Sequence, residues 1–260
     1  MNELLLSVDI KSWEETSISH GSIMDRKVSQ NVITLYKRIF KRDNYTCYYC
    51  GFQSDEYQEI HHLNDDHNNY NENNLVTICP LCHQSHHLNS AFVNKGAELI
   101  YLPELTQQEL NHLCRAMFIA YFYKDKVKQN DKNFISNSIN MLWQSSLYTR
   151  KAKLDEYLGE GASDLGTFSQ ILLDIKTQDL KKYMHRYEFT KDIKLLHKPK
   201  RFQLQTQYWM ENQYKNLQLH KWLKLATELV IDSGSNEIKE MNDAPLIDLD
   251  SVYTNINLDR

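Results

Sequence analysis

The sequence predicts an α+β fold in which a small strand–strand–helix unit is embedded in a mostly helical domain. Two Cys-x-x-Cys pairs, Cys47/Cys50 and Cys79/Cys82, flank short apolar runs, and the segment after the second pair has helical character. These features predict the small unit. Apolar residues recur at helical spacing over most of residues 106–231, which predicts the helical surroundings.

Composition restricts the class of protein. The 260 residues are 41% hydrophobic and 25% charged, which is ordinary for a globular chain. There are only seven glycines, and the pair Gly161/Gly166 is followed by Thr and Phe with no lysine, so the chain lacks a Walker phosphate-binding loop. There is neither a basic, apolar leader nor a run of 18 apolar residues. The sequence therefore predicts a cytoplasmic protein without membrane insertion.

The first half of the chain predicts short elements around a polar loop. Residues 2–13 resemble one or two strands, and residues 28–42 form an amphipathic helix with Lys and Arg on its polar face. An Asn-rich stretch at residues 63–74 favours a loop. A strand at residues 75–79 and a helix after Pro80 follow, as expected for the second half of the strand–strand–helix unit.

The second half of the chain predicts helices that end in an acidic tail. A strand at 99–102 precedes a helix that begins at the capping box Thr106/Glu109 and runs to about residue 124. Further helices are predicted at residues 133–158, 167–175, 178–187 and 203–231. We expect three regions: residues 1–125 with the cysteines, N-terminal strands and a helix; residues 126–231 as a helical domain packed on them; and residues 232–260 as an acidic flexible tail.

The four paired cysteines have the spacing of a structural zinc site. A two-residue spacer lets a tight turn aim both sulfurs at one point, so Cys47, Cys50, Cys79 and Cys82 can surround one Zn²⁺ tetrahedrally. The alternative is two pairs of buried thiols without a ligand. Cys114 lies on a helical stripe and is expected to pack in a core.

A set of histidines predicts a second metal site between and after the cysteine pairs. His83 and His87 are four residues apart, so one helix would point both rings the same way. One histidine of the neighbouring strand, His61 or His62, would complete three nitrogens, and a divalent ion there (Mg²⁺, Mn²⁺, Ni²⁺ or Zn²⁺) would keep open positions. Neighbours on a strand face opposite sides, which leaves the other of these two histidines available as a general base. The alternative is a histidine set without catalysis.

The segment RDNYTCYYCGFQ…EIHHLNDDHNNYNENNLVTICPLCHQSHH resembles the HNH family, a ββα-metal nuclease fold whose zinc-knuckle members carry two Cys-x-x-Cys pairs. The resemblance implies that His61, His83 and His87 hold the catalytic metal and that His62 deprotonates the attacking water. Asn74 would orient the strand and loop. His86 is an alternative to His87 as ligand.

The flanking segments narrow this resemblance. Two segments follow the HNH segment in the chain, LIYLPELTQQELNHLCRAMF and then EYLGEGASDLGTFSQILLD. With the segments in this order, residues 25–225 approximately are similar to the IcmJ/DotN proteins of type IVB secretion systems. The resemblance implies a zinc-stabilised subunit of a secretion or conjugation coupling complex, which binds the C-terminal tail of the coupling ATPase beside adaptor proteins. It implies a place in the cytoplasm, peripheral to the inner membrane through that complex. The alternative is a metal-dependent DNA endonuclease, because the histidine set is retained.

A basic and aromatic stretch leaves three interpretations open. Residues 176–201 contain nine Lys and Arg against three acids, with Tyr183, Tyr187 and Phe189 between them. Such a stretch could bind single-stranded nucleic acid by phosphate contacts and stacking. Its aromatic residues could instead belong to a core, or its basic surface could accept an acidic peptide of a partner.

Overall fold

A computed structural model of the chain describes residues 3–9, 29–124 and 128–216. The acidic segment 232–260, residues 10–13 of the expected N-terminal strands and residues 217–231 of the last predicted helix lie outside the described residues.

The described residues form an α+β fold, as the sequence predicts. The helices are α1 Gln30–Arg42, α2 Pro80–His86, α3 Leu88–Val93, α4 Gln107–Tyr123, α5 Gln129–Asn140, α6 Arg150–Leu158, α7 Leu165–Gln178, α8 Leu180–Met184, α9 Tyr187–Thr190 and α10 Gln203–Glu211. A π-helical segment spans Met141–Tyr148, and 3₁₀ turns span Glu72–Asn74 and Pro199–Phe202. The strands are β1 Glu59–His62, β2 Leu75–Ile78, β3 Ala97–Tyr101 and β4 Ile193–His197.

Strands β1 and β2 and helix α2 form the predicted strand–strand–helix unit. β1 pairs antiparallel with β2, with His61 opposite Val76 and His62 opposite Leu75. Cys79 is the N-cap of α2, and Pro80 occupies the first helical turn, where its missing N–H leaves no hydrogen bond unmade. The chain therefore turns from β2 into the helix within one residue.

Helix α1 is held against this unit by its C-terminal basic residues. Arg42 donates to the carbonyl oxygens of Glu72 at 2.8 Å and Leu75 at 2.7 Å, and it pairs with Asp43. The Asp43 carboxylate also accepts a hydrogen bond from the Thr77 N–H of β2 at 2.8 Å. Part of the basic face that the sequence predicts to be exposed is thus engaged in fixing β2.

A second sheet forms the centre of a larger apolar core. β3 pairs antiparallel with β4, from Ala97 opposite His197 to Tyr101 opposite Ile193. The apolar residues around it come from the N-terminal segment, α3, β3, α6, α7, α8 and β4: Leu6, Val8, Leu88, Ala91, Ala97, Leu99, Leu154, Leu165, Phe168, Leu172, Tyr183, Ile193 and Leu195. Strand β4 is absent from the elements predicted by the sequence.

The N-terminal segment 3–9 is ordered without being a strand, so the strand prediction is wrong for these residues. The Ser7 N–H donates to the Ser85 carbonyl, and the Ser7 carbonyl accepts from the Leu88 N–H, both at 3.1 Å. These bonds go to the junction of α2 and α3, where no extended partner exists to continue a ladder. The segment is instead fixed between helices.

The chain divides into two compact units. Of the described residues, the first unit contains 3–9, 29–114 and 151–198, and the second contains 115–124, 128–150 and 199–216. In the second unit Phe118 stacks on Phe202 with ring centroids 6.1 Å apart. The domain limits expected from the sequence stay a prediction, because compact units need not fold independently.

Candidate metal centres

Four buried cysteines converge in the first unit. The sulfurs of Cys47, Cys50, Cys79 and Cys82 all lie within 4.8 Å of one another, and those of Cys50 and Cys79 are 3.7 Å apart. None of the four forms a disulfide bond. This arrangement could hold a metal ion.

Local backbone geometry produces the convergence. Gly51 has a φ of +72°, a conformation that glycine adopts without strain, and its N–H donates to the Cys47 carbonyl at 2.9 Å. The Cys47 N–H in turn donates to the Phe52 carbonyl at 2.9 Å. The first pair thus lies in a tight turn, whereas the second pair lies at the start of α2, where the His83 N–H bonds the Cys79 carbonyl at 2.9 Å.

The donor set fits a soft cation. Burial raises the pKa of the Cys79 and Cys82 thiols well above its usual value, since a thiolate without a counter-charge is disfavoured in an apolar site. A divalent ion reverses this preference because it binds thiolates directly. Four thiolates in a tetrahedral site are the ligands typical of structural zinc.

Residues of α4 and β4 surround the cysteines with polar contacts. The Asn111 side-chain N–H donates to Cys82 Sγ at 3.3 Å, and His112 Nε2 donates to the Cys50 carbonyl at 2.8 Å. Asn111 Oδ1 accepts from Gln107 Nε2 at 2.8 Å and lies 2.9 Å from His197 Nε2. Sequence reasoning missed these residues, because α4 and β4 are distant from the cysteine pairs in the chain.

Three histidines form a second cluster. One ring nitrogen from each of His61, His83 and His87 lies within 4.8 Å of the others, and the rings of His83 and His87 are 4.5 Å apart. His86 lies outside this set and stacks on His61 at 4.4 Å. The cluster could hold a metal ion through three nitrogens.

The helix assumed to carry His83 and His87 is shorter than predicted. α2 ends at His86, and His87 has φ −130° and ψ 61°, outside the helical region, before α3 begins at Leu88. The two rings still meet, because the chain turns at His87 rather than passing it along one helix face. The prediction of an uninterrupted helix after Pro80 is therefore wrong. The two rings nevertheless lie close together, as that prediction requires.

Two carboxylates orient these rings. Glu59 Oε2 lies 2.5 Å from His83 Nδ1, and Asp9 Oδ2 lies 2.6 Å from His87 Nδ1. A carboxylate on one ring nitrogen fixes the tautomer and leaves the other nitrogen as a metal ligand. Glu59 is two residues before His61 on β1, so strand alternation could have revealed it, whereas Asp9 is 78 residues from His87 and has no local sequence signal.

Burial shapes the charge of this cluster. Burial holds the pKa of His61 well below its ordinary value, and neighbouring imidazoles add to the effect. Burial also lowers the pKa of His87, although Asp9 opposes that shift. Despite its own burial, the Asp9 carboxyl has a pKa well below its usual range, because it faces His87 and His67. Neutral imidazoles next to ionised carboxylates suit a divalent cation.

The remaining predicted site residues lie around the histidine cluster. The His62 ring stacks on His67 with centroids 5.1 Å apart. Asn74 accepts from the Asn64 N–H at 3.1 Å and donates to the Asn69 carbonyl at 3.0 Å, so its side chain bridges the loop between β1 and β2. The catalytic roles that the resemblance implies for His62 and Asn74 stay predictions.

The basic stretch 176–201 is only partly on the surface. Lys176, Lys194 and Tyr183 are buried, and Lys198 pairs with Glu98 at 2.6 Å. The exposed apolar side chains of the same region lie one helical turn apart on α8, at Leu180 and Met184, with 60% and 65% of their surface accessible. None of the described helices is long and apolar enough to cross a membrane.

Comparison with known proteins yields one strong similarity. The chain is 36% identical over 188 residues to the Type 4 apparatus protein DotN of Legionella pneumophila. The aligned region covers 71% of this chain and 81% of that protein. No protein-family model matches the chain.

Proposed function

The chain belongs to the IcmJ/DotN family, and from this membership we propose that it is a zinc-stabilised subunit of a type IVB secretion or conjugation coupling complex. In this complex it binds the C-terminal tail of the coupling ATPase beside adaptor proteins. The observation that carries the proposal is the 36% identity to DotN over most of both chains. The protein would act in the cytoplasm, peripheral to the inner membrane through the complex.

Zinc is the ion that we propose for the four cysteines. Four thiolates form a closed tetrahedral site with no position for a substrate, so this ion would stabilise the fold rather than react. Cys47, Cys50, Cys79 and Cys82 would then fix the start of α2 to the turn after α1. The surface of the unit would be presented to partners in one rigid arrangement.

The exposed apolar side chains of α8 support a protein partner. Leu180, Met184 and the nearby Tyr187 expose 60%, 65% and 45% of their surface within one short stretch of the chain, so together they offer an apolar contact surface. Lys181 and Lys182 lie among them, so the surface suits a partner segment with both apolar and acidic residues.

Binding to the ATPase tail tests the proposal directly. We expect the full chain to retain the purified C-terminal tail of the coupling ATPase in a pull-down, and Met184→Asp to weaken this binding at least about tenfold, since a buried apolar contact would be replaced by a charge. Leu204→Asp on α10, with the same 65% exposure, is the matched control. Failure of the unmodified chain to bind the tail would contradict the proposal.

A second candidate function rests on the histidine cluster. We propose that His61, His83 and His87 bind a divalent metal, and that the chain is a metal-dependent DNA endonuclease of the HNH type with His62 as general base. The arrangement of Glu59 and Asp9 behind two of the rings supports metal binding. The ion would supply electrostatic stabilisation of a phosphate, whereas His62 would accept a proton and Asn74 would hold the loop.

Plasmid cleavage tests this second candidate. The zinc-loaded chain should nick plasmid DNA in the presence of Mg²⁺, Mn²⁺, Ni²⁺ or Zn²⁺, and His62→Ala should lower the rate at least about 100-fold, as expected for loss of a general base. The thermal unfolding midpoint of this variant serves as the control for folding. Equal inactivity of both proteins would reject the endonuclease while leaving the secretion subunit intact.

A further inference from the structure

Asp9 connects the histidine cluster to a segment with no regular structure of its own. Its carboxylate lies 2.6 Å from His87 Nδ1 and 3.8 Å from His67 Nε2. Residues 3–9 form neither helix nor strand, so their backbone does not by itself place this carboxylate. The position of Asp9 therefore depends on contacts made by the rest of the fold.

Those contacts come from α7 and α8, in addition to the bonds of Ser7 to the junction of α2 and α3. Lys176 Nζ donates to the Val8 carbonyl at 2.7 Å, one residue before Asp9. Tyr183 bonds Ser7 Oγ through its hydroxyl at 2.6 Å and accepts from the Val8 N–H at 3.3 Å. Asn89 adds weaker contacts to the Asp9 backbone, at 3.4 and 3.5 Å.

Lys176 also bonds the loop between β1 and β2. Its Nζ lies 2.8 Å from Asp65 Oδ2, in the loop that carries His67. Asp65 has a φ of +59°, a left-handed conformation that Asp adopts more readily than most residues, and its N–H donates to the His62 carbonyl at 3.0 Å. One ammonium group thus bonds the backbone beside Asp9 and the loop that carries the second partner of Asp9.

The burial of Lys176 indicates a specific role. Only 6% of its side chain is exposed, and a buried ammonium is costly unless it is paired and fully hydrogen-bonded. Lysine at this position satisfies that condition through a carboxylate and a carbonyl, with the Tyr183 ring 5.1 Å away. An apolar residue could fill the same volume without this cost, but it could not bond both segments.

We propose that Lys176 is a positioning residue for a divalent cation at the histidine cluster: it fixes Asp9, which sets the ring of His87 so that its second nitrogen faces His61 and His83. This inference rests on the proposed metal binding by the three histidines. It assigns a function in the metal site to α7, since Lys176 lies 89 residues beyond His87 in the sequence. It also explains why the N-terminal segment belongs to the site.

Cobalt titration of the full, zinc-loaded chain tests the inference. Co²⁺ at three nitrogens gives ligand-field bands that differ from the intense thiolate charge-transfer bands of a cysteine site, so the two sites are distinguishable. We expect Lys176→Met and Asp9→Asn each to weaken Co²⁺ binding at the histidines by about 10- to 100-fold, the range typical of residues that orient metal ligands. Lys153→Met, at an exposed lysine on α6, should bind Co²⁺ as the unmodified chain does.

The outcomes separate the two proposals. If the unmodified chain binds no Co²⁺ at the histidines, the metal-binding function fails and this inference with it. If it binds Co²⁺ and Lys176→Met binds with unchanged affinity and spectrum, only the inference is overturned. A merely structural role would lower the thermal midpoint of Lys176→Met without altering the Co²⁺ affinity or spectrum of the folded fraction.

A second variant covers the case in which Lys176→Met does not fold. Asp65→Asn removes the ion pair but keeps the bond from Lys176 to the Val8 carbonyl, and it alters a side chain that is 34% exposed. We expect it to weaken Co²⁺ binding in the same direction, by a smaller factor. Unchanged affinity in Asp65→Asn would then overturn the inference.

Discussion

Cys79→Ser should release the zinc ion that we propose for the four cysteines and unfold the strand–strand–helix unit. The thiol of Cys79 is fully buried at the N-cap of α2, so its loss opens the site where the helix begins. The apparent binding free energy of structural Zn²⁺ in small peptides is about 10–16 kcal/mol. The entire stability of a typical domain is about 5–15 kcal/mol. Loss of the ion is therefore large enough to unfold this part of the chain.

Zinc content and amide hydrogen exchange measure this effect together. We expect less than one zinc per chain in Cys79→Ser and loss of exchange protection in β1, β2 and α2. Cys114→Ser is the matched control: Cys114 is also fully buried, yet lies outside the cluster, so the variant should keep its zinc. The account would be contradicted if Cys79→Ser kept both its zinc and its exchange protection.

Acidification below about pH 6.5 should destabilise the chain steeply. Burial lowers the pKa of His61, His86 and His87 from the ordinary value of 6.5. Below pH 6.5 the unfolded chain thus binds protons that the folded chain does not, and stability falls as the pH falls. Each such proton contributes about 1.4 kcal/mol per pH unit, so the three together give up to about 4 kcal/mol per pH unit. A metal bound by the histidines would act in the same direction, because protons compete with it.

Urea unfolding at several pH values between 7.5 and 5.5 measures this dependence. His86→Phe removes one of the three titrating rings and replaces the imidazole that stacks on His61 with another aromatic ring, and we expect it to lower the slope by about a third. The thiolates contribute equally to the pH dependence of stability in both proteins. The difference in slope therefore measures the contribution of His86. An identical slope in His86→Phe and the unmodified chain would contradict this explanation.

Local patterns predict part of the fold well. The α+β class, helix α1 and strand β2 follow from periodicity and capping, and all are present in the structure. Strand β4 was missed because its sequence, IKLLH, is buried at every position and includes Lys194 and His197, so neither alternation nor a continuous apolar run marks it. The predicted helix 133–158 is divided by a π-helical segment at Met141–Tyr148, which periodicity does not reveal.

The candidate sites divide in the same way. Sequence spacing predicts the four cysteines and the three histidines as metal ligands, because the members of each set lie within a short stretch of the chain. Asp9, Lys176 and Asn111 could not be found from the sequence, since each reaches its site through tertiary contacts that span many residues. An Asp, a Lys or an Asn is a common residue in such segments and forms no local motif there. Only the tertiary fold brings these side chains to their partners.

The metal content of the purified full chain tests the central claim most directly. The account predicts one tightly bound zinc per chain, retained on dialysis, and a second divalent ion taken up when Co²⁺ is added to the zinc-loaded protein. A purified, folded chain that contains no metal and keeps its stability in the presence of a strong chelator would contradict it.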